Sequence, residues 1–218
     1  MRPIISSVGP LAAASATNIR TASSIAAAGP VTLNGTTVSG GLVATLDNPR
    51  RVLFTSSGND SGISFTVTGF SGAGLPMTEI VQGSNGGTAN TVQNFLKVTG
   101  IVASGASAGT VSIGTMAVND TGWIRMDDWG NSYISIQCNV VGTVNYTIQS
   151  TLDDPNDPVN PVTPPNVNWV PSSDAAAVGA TAAIQTNFLF IPRYIRCLLN
   201  SGSGSVSMTV LQAGQAPA

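Results

Sequence analysis

From Val31 onward, apolar and polar residues alternate along most of the chain. Val52 and Phe54, then Ile63, Phe65 and Val67, alternate with Ser64, Thr66 and Thr68. A period of two sends successive side chains to opposite faces of a strand. The cluster SSGNDSG lies between these runs, so residues 51–69 are expected as a hairpin. Further strands fit 78–82, 95–104 and 110–116, with the Gly-rich joints SGAG, GSNGG and SGASAG around them. The pattern breaks at NDTG (119–122) and WIRMDDWGN, then resumes. Ile134, Ile136, Cys138 and Val140, followed by Val144, Tyr146 and Ile148, predict a second hairpin over 132–149. After a Pro-rich loop at 153–171, residues 188–200 and 205–212 read as a last pair around SGSG. Three segments share a local pattern: GTVSIGT from Gly109, GTVNYTI from Gly142 and GSVSMTV from Gly204. The first and last are candidates for equivalent closing strands of two related modules, although alternation alone also generates such likeness.

Composition agrees with strands. The 42% hydrophobic content is carried by Ala, Val and Ile, with 24 Gly and abundant Ser, Thr and Asn, which suits an all-β protein. The expected architecture is two β-sandwich (jelly-roll-like) modules in tandem, 30–118 and 119–218, behind an extended N-terminal arm, 1–29. The arm has too few large side chains for a core of its own. It is read as ordering against another subunit, with a flexible tail as the alternative. Pro3, Gly9 and Pro10 interrupt its apolar residues, so it is read as mature sequence, not as a secretion signal.

Charge and chemistry then remove whole classes of function. Only 8% of residues are charged and the net charge is −2. The seven Arg and one Lys are scattered, with Arg50–Arg51 the only adjacent pair, so no basic stripe for nucleic acid is expected. No run of 18 apolar residues predicts a membrane helix. There is no histidine, which removes the commonest general base, the Ser-His and Cys-His pairs and the commonest transition-metal ligand. No phosphate-binding loop is present, and SGSGS at 201–205 reads as a turn. Cys138 and Cys197 each sit in an alternating run. They are read as buried thiols, or as a disulfide if the compartment is oxidising. No catalytic residue, metal site or cofactor is assigned, and no enzyme activity is expected.

Two clusters invite a closer look. TLDDPNDP (151–158) holds Asp153, Asp154 and Asp157, and Asn156 would add an oxygen for calcium. The Pro residues and the missing alternate spacing favour a rigid turn instead. In that reading Asp153 and Asp154 meet Arg193 or Arg196 on the distal strand, with Asp154–Arg196 the first pair to test. Trp123, Arg125, Trp129 and Trp169 are candidate interface residues, since Trp and Arg are enriched where subunits meet. The alternative for the aromatics is a sugar-stacking surface.

The run RRVLFTSSGNDSGISFTVTGFSGAGLPMTEIVQG (50–83), with GTVNYTIQSTLDDP (142–155) and IPRYIRCLLNSGSGSVSMTVLQAG (191–214), resembles a type of small structural protein of tailed bacteriophages. The resemblance covers about 31–214 and carries over no active site. It implies a β-rich virion component, assembled in the bacterial cytoplasm, at the capsid surface as a decoration protein, at the head–tail collar, or on the tail. Its implied partners are further copies of itself, a trimer first, and capsid, portal or tail proteins. The alternative is a tail accessory module that binds a host-surface glycan.

Overall fold

The computed structural model describes residues 3–127 and 133–212. Trp129, one of the candidate interface residues, lies outside them. The chain divides into a central unit, 12–117, and a flanking unit made of 1–11 with 118–218.

β1 (Ile4–Val8) opens the flanking unit. The central unit follows with β2 (Ser15–Ser24), β3 (Gly29–Pro30), β4 (Val38–Ser39), β5 (Val43–Arg50), β6 (Val52–Asn59) and β7 (Ser64–Phe70). It ends with β8 (Pro76–Gln82), β9 (Asn85–Asn90), β10 (Phe95–Ala103) and β11 (Thr110–Thr115). The chain then returns to the flanking unit with β12 (Asn119–Asp120), β13 (Ile124–Arg125), β14 (Ile134–Val141) and β15 (Asn145–Thr151). The last strands are β16 (Val170–Pro171), β17 (Ile184–Phe188), β18 (Tyr194–Ser201) and β19 (Ser205–Gln212). Two single 3-10 turns, at Pro164–Asn166 and Ala175–Ala177, are the only helical pieces among the described residues. The protein is all-β, and every strand pairing is antiparallel.

Each unit has two sheets. In the central unit these run β2-β11-β6-β9 and β4-β5-β10-β7-β8; in the flanking unit, β1-β19-β14-β17 and β12-β18-β15-β16. Setting β3 and β4 aside and counting β12 with β13 as one strand, both units follow one connectivity. The first strand pairs with the eighth, then the third, then the sixth; the second pairs with the seventh, then the fourth, then the fifth. The two sheets of each unit share a single core. In the central unit Phe54 from one sheet stacks on Phe65 from the other, 4.8 Å between ring centroids. Burying each such ring contributes on the order of 2 kcal/mol. In the flanking unit Ile134, Ile136 and Cys138 of β14 meet Ile148, Ile195 and Cys197 of the opposite sheet.

This topology corrects the three expected hairpins. β6 and β7, β14 and β15, and β18 and β19 each place their two strands in different sheets. Alternation shows which side chains face a core, but both sheets face the same core, so it says nothing about the pairing partner. Hairpins form instead at β7–β8, with Ser64 opposite Gln82 and Phe70 opposite Pro76, and at the short pair β4–β5. The equivalence of GTVSIGT and GSVSMTV appears in the fold: β11 and β19 are both eighth strands, whereas β15, from GTVNYTI, is a fourth.

The N-terminal segment also differs from an arm. Residues 4–8 pair with 206–210 of β19, and Thr110 of β11 lies opposite Ser24 of β2. The segment therefore supplies the first strand of both units. Its few large residues suffice because each unit needs only one or two anchors from it: Val8 and Leu11 in the flanking core, Ile19 and Ile25 in the central one. The buried Arg50 guanidinium holds the turn into β2, with Nη2 donating to the Ala12 carbonyl at 2.6 Å and to Asp47 at 2.9 Å.

Candidate functional site

Of the aromatic and charged residues singled out in the sequence, Trp123, Trp169, Asp154, Arg193 and Arg196 gather on the outer face of the sheet β12-β18-β15-β16. On β18, Ile195, Cys197 and Leu199 point into the core, so alternation turns Tyr194 and Arg196 outward. On β15 the same rule turns out Gln149, beside Arg196 in the register. Residues 152–169 lie over this face and bring Asp154 and Trp169 onto it.

Arg196 is the centre of the cluster. Its Nη1 lies 3.0 Å from Asp120 Oδ2, its Nε donates to Gln149 Oε1 at 2.9 Å, and its guanidinium carbon sits 4.1 Å from the centre of the Trp169 ring. Both partners of the ion pair are buried, at 4% and 8% side-chain exposure, so removal of either strands the other in a low dielectric. Trp123 meets Trp169 edge-on at 5.2 Å and Tyr194 at 5.8 Å, a geometry that aromatic quadrupoles favour.

A second brace lies beside it. Arg193 Nε pairs with Asp154 Oδ2 at 2.8 Å, and Asp154 Oδ1 accepts from the Tyr194 hydroxyl at 3.1 Å and from the Asn156 amide at 2.8 Å. Asn156 Nδ2 in turn donates to the Tyr194 hydroxyl at 3.1 Å. Of the candidate ion-pair residues, then, Asp154 and Arg193 come together. The expected Asp154–Arg196 pair does not form, because Arg196 is taken by Asp120 from the short strand β12. Asp153 instead accepts from the Asn168 amide at 2.7 Å. Asp157 accepts from the amides of Asn160 and Val159, which hold its carboxyl below the usual range.

The carboxylates of TLDDPNDP are therefore spent on an arginine, a phenol and backbone amides. Among the described residues no group of three acids, His or Cys converges as a metal-ligand set. Arg125 is exposed and sits opposite Tyr194 in the sheet register. Trp123 and Trp169 are half-buried in their own unit. Asp120, Gln149 and Tyr194 are the members that sequence reasoning missed, whereas Asn156, singled out there as an oxygen for calcium, donates to Asp154 and Tyr194 instead. The alternation 195-197-199 carried a signal for Tyr194, whereas nothing local marked Asp120 as more than part of a turn.

Cys138 and Cys197 are free thiols, fully buried, one from each sheet of the flanking core. Their side chains interact with each other, and Cys138 also with Tyr146. The hydrogen bond to Cys138 together with burial pushes the Cys197 thiol up, so it stays protonated. The same hydrogen bond lowers the Cys138 thiol, and both side chains are packed in the core away from solvent. What the outer cluster can do chemically is hold charge and aromatic surface in place; its carboxylates and guanidinium groups have structural partners, whereas the buried Trp169 Nε1 makes no hydrogen bond.

Comparisons with protein-family models, with curated proteins and with solved structures return no match.

Proposed function

We propose that this chain is a non-enzymatic structural component of a tailed-bacteriophage particle, attached at the capsid surface, the head–tail collar or the tail through subunit contacts. Each unit is read as a jelly-roll-like sandwich, in line with the strand order that the two units share. The observation that carries the reading is the outer face of the sheet β1-β19-β14-β17. Its rows are Ile5–Thr209–Gln137–Gln185, Ser7–Ser207–Asn139 and Leu211–Ser135–Asn187. No charged side chain stands on this face among the described residues, and a shallow groove of 560 Å³ crosses it between Pro3, Gln185 and Leu211. Charge is depleted where surfaces are covered by neighbours, and a self-associating protein, a trimer by the resemblance, would present such a face to its own copies or to a capsid, portal or tail subunit.

The glycan-binding alternative asks for open aromatic faces. Trp169 carries Arg196 against its ring, and Trp123 is edge-on to two other rings, which favours the structural reading.

The test is electron microscopy and mass spectrometry of virus particles purified from cells that make this chain. The chain is expected at a fixed copy number in repeated density. Its absence from particles while it stays abundant in the lysate would sink the proposal. Gln137→Arg should lower incorporation while changing stability by no more than about 0.5 kcal/mol.

A further inference from the structure

In the central unit three loops converge: 60–63 between β6 and β7, 83–84 between β8 and β9, and 104–109 between β10 and β11. Asp60 ties them together. Its amide donates to the Ser84 carbonyl at 2.9 Å, its carbonyl accepts from the Ile63 amide at 3.0 Å, and Oδ1 accepts from the Ala108 amide at 2.7 Å. Glycines let the loops close to backbone contact: a Cβ on Gly83 would overlap the Asp60 carbonyl, and one on Gly58 would come within 2.9 Å of the Ala108 carbonyl carbon.

Within this knot two oxygens have no partner. Asp60 is 2% exposed, yet its Oδ2 accepts no hydrogen bond, and the buried Oγ of the adjoining Ser84 makes none either. The other buried acids are treated differently. Glu79 accepts from the amides of Val92 and Gln93 at 2.6 and 2.9 Å, and Asp154 has Arg193 and Tyr194. Asp60 takes part in no ion pair of the described residues. A buried carboxylate oxygen without a hydrogen bond is costly to take out of water. The flanking unit braces its equivalent loops without charge. There Asn145 donates to the Gly179 carbonyl at 3.1 Å and Asn200 donates to Asn145 at 2.8 Å. A neutral amide would have served the central unit equally well as a brace, so its carboxylate calls for a counter-charge.

We propose that this loop end binds a hard, oxygen-preferring cation, calcium the best fit, through Asp60 Oδ2 and Ser84 Oγ. The remaining ligands are loop carbonyls, which keep a second lone pair after one hydrogen bond, and water. Calcium accepts six to eight oxygens in irregular geometry, whereas magnesium demands a near-ideal octahedron. Soft metals are disfavoured, because the central unit has neither Cys nor His. With one carboxylate the affinity falls at the weak end, about 10⁻⁴ to 10⁻³ M. The bound ion links the loops 60–63 and 83–84 directly and steadies 104–109 through Oδ1.

The test uses the full chain after chelator treatment, with calcium titrated against sodium chloride of matched ionic strength. Melting is followed by circular dichroism, and hydrogen exchange is read at residues 58–62, 83–84 and 104–109. Calcium is expected to raise the melting temperature and to slow exchange in those three loops, saturating in the millimolar range, with magnesium weaker. Asp60→Asn should abolish both responses, and Ser84→Ala should shift the calcium midpoint several-fold higher. Wild-type loops that exchange at the same rate with and without calcium overturn the proposal, and this readout stands even if Asp60→Asn fails to fold. A response that persists unchanged in Asp60→Asn overturns it as well.

Discussion

The central and flanking units build the same sheets from the same strand order and handle buried charge in different ways. The central unit buries two arginines, Arg20 and Arg50, and the flanking unit buries Arg196. Arg50 of the central unit, 1% exposed, pairs with an Asp47 that is 43% exposed, and it also donates to the Ala12 carbonyl. Arg196 of the flanking unit pairs with a buried Asp120 and lies under Trp169. The aromatic content diverges as well: all three Trp and all three Tyr fall in the flanking unit, whereas four of the six Phe fall in the central one. The shared strand order asks mainly for apolar side chains facing each core, which many sequences can supply. The polar groups are under no such common constraint, and it is there that the units have become different objects.

The Trp distribution makes the comparison measurable, because Trp emission reports the flanking unit alone. The largest effect is expected from Phe54→Ala, which removes half of the stacked pair in the central core and should cost about 3–5 kcal/mol. Urea unfolding followed by circular dichroism should show the loss while the Trp-emission midpoint stays in place; a matching fall in the emission midpoint would mean that the units do not melt separately. Asp120→Ala is expected to cost about 3 kcal/mol, since it takes a buried carboxylate from the buried Arg196 guanidinium, and this loss should appear in Trp emission. Equal behaviour of Asp47→Ala would erase the contrast between the two arginines. Tyr194→Phe takes one hydroxyl from the Asp154–Asn156 network and should cost about 1 kcal/mol. The smallest effect is electrostatic and belongs to Asp47. Burial raises its pKa, but the Ala12 amide and Arg50 outweigh that, and its carboxyl titrates below the usual range. A depressed folded-state pKa gives stability that is present above the unfolded value of about 3.9 and lost as pH falls through the folded value. For so exposed a group this should amount to about 0.5 kcal/mol, seen as a slightly steeper acid loss below pH of about 4 in wild type than in Asp47→Asn.

The sequence shows where strands lie far better than which strands pair. Val52, Phe54, Phe65 and Val67 announce themselves as core-facing, and they are core residues. That Val52–Asn59 and Ser64–Phe70 belong to opposite sheets leaves no local trace, because a turn that crosses a sandwich and a turn that closes a hairpin use the same Gly, Asn and Ser. β2 was equally hard to see: Ser15–Ser24 shows no alternation, and its burial comes in one adjacent pair, Ile19 and Arg20. In the outer cluster, Trp123, Trp169, Asp154, Arg193 and Arg196 stand out by residue type in a chain so poor in charge. Their partners do not, since Asp120 reaches Arg196 across 76 positions of sequence. Asp60 was hidden inside a turn motif whose ordinary reading accounted for it.

The pairing of residues 4–8 with 206–210 also bears on how the molecule is made. On a ribosome the first strand of the flanking unit is made before the whole central unit, and its partner only after it. The central unit has all of its strands by Thr115 and can fold long before then, since domains generally fold as units during synthesis. Residues 4–8 must wait without their strand partner, as an edge segment rich in Ile and Ser, until β19 arrives and closes a very long-range pairing at the slow end of folding. A nested chain of this kind sets its own clock: the insert can mature first, and the host unit is sealed only once β19 has been made.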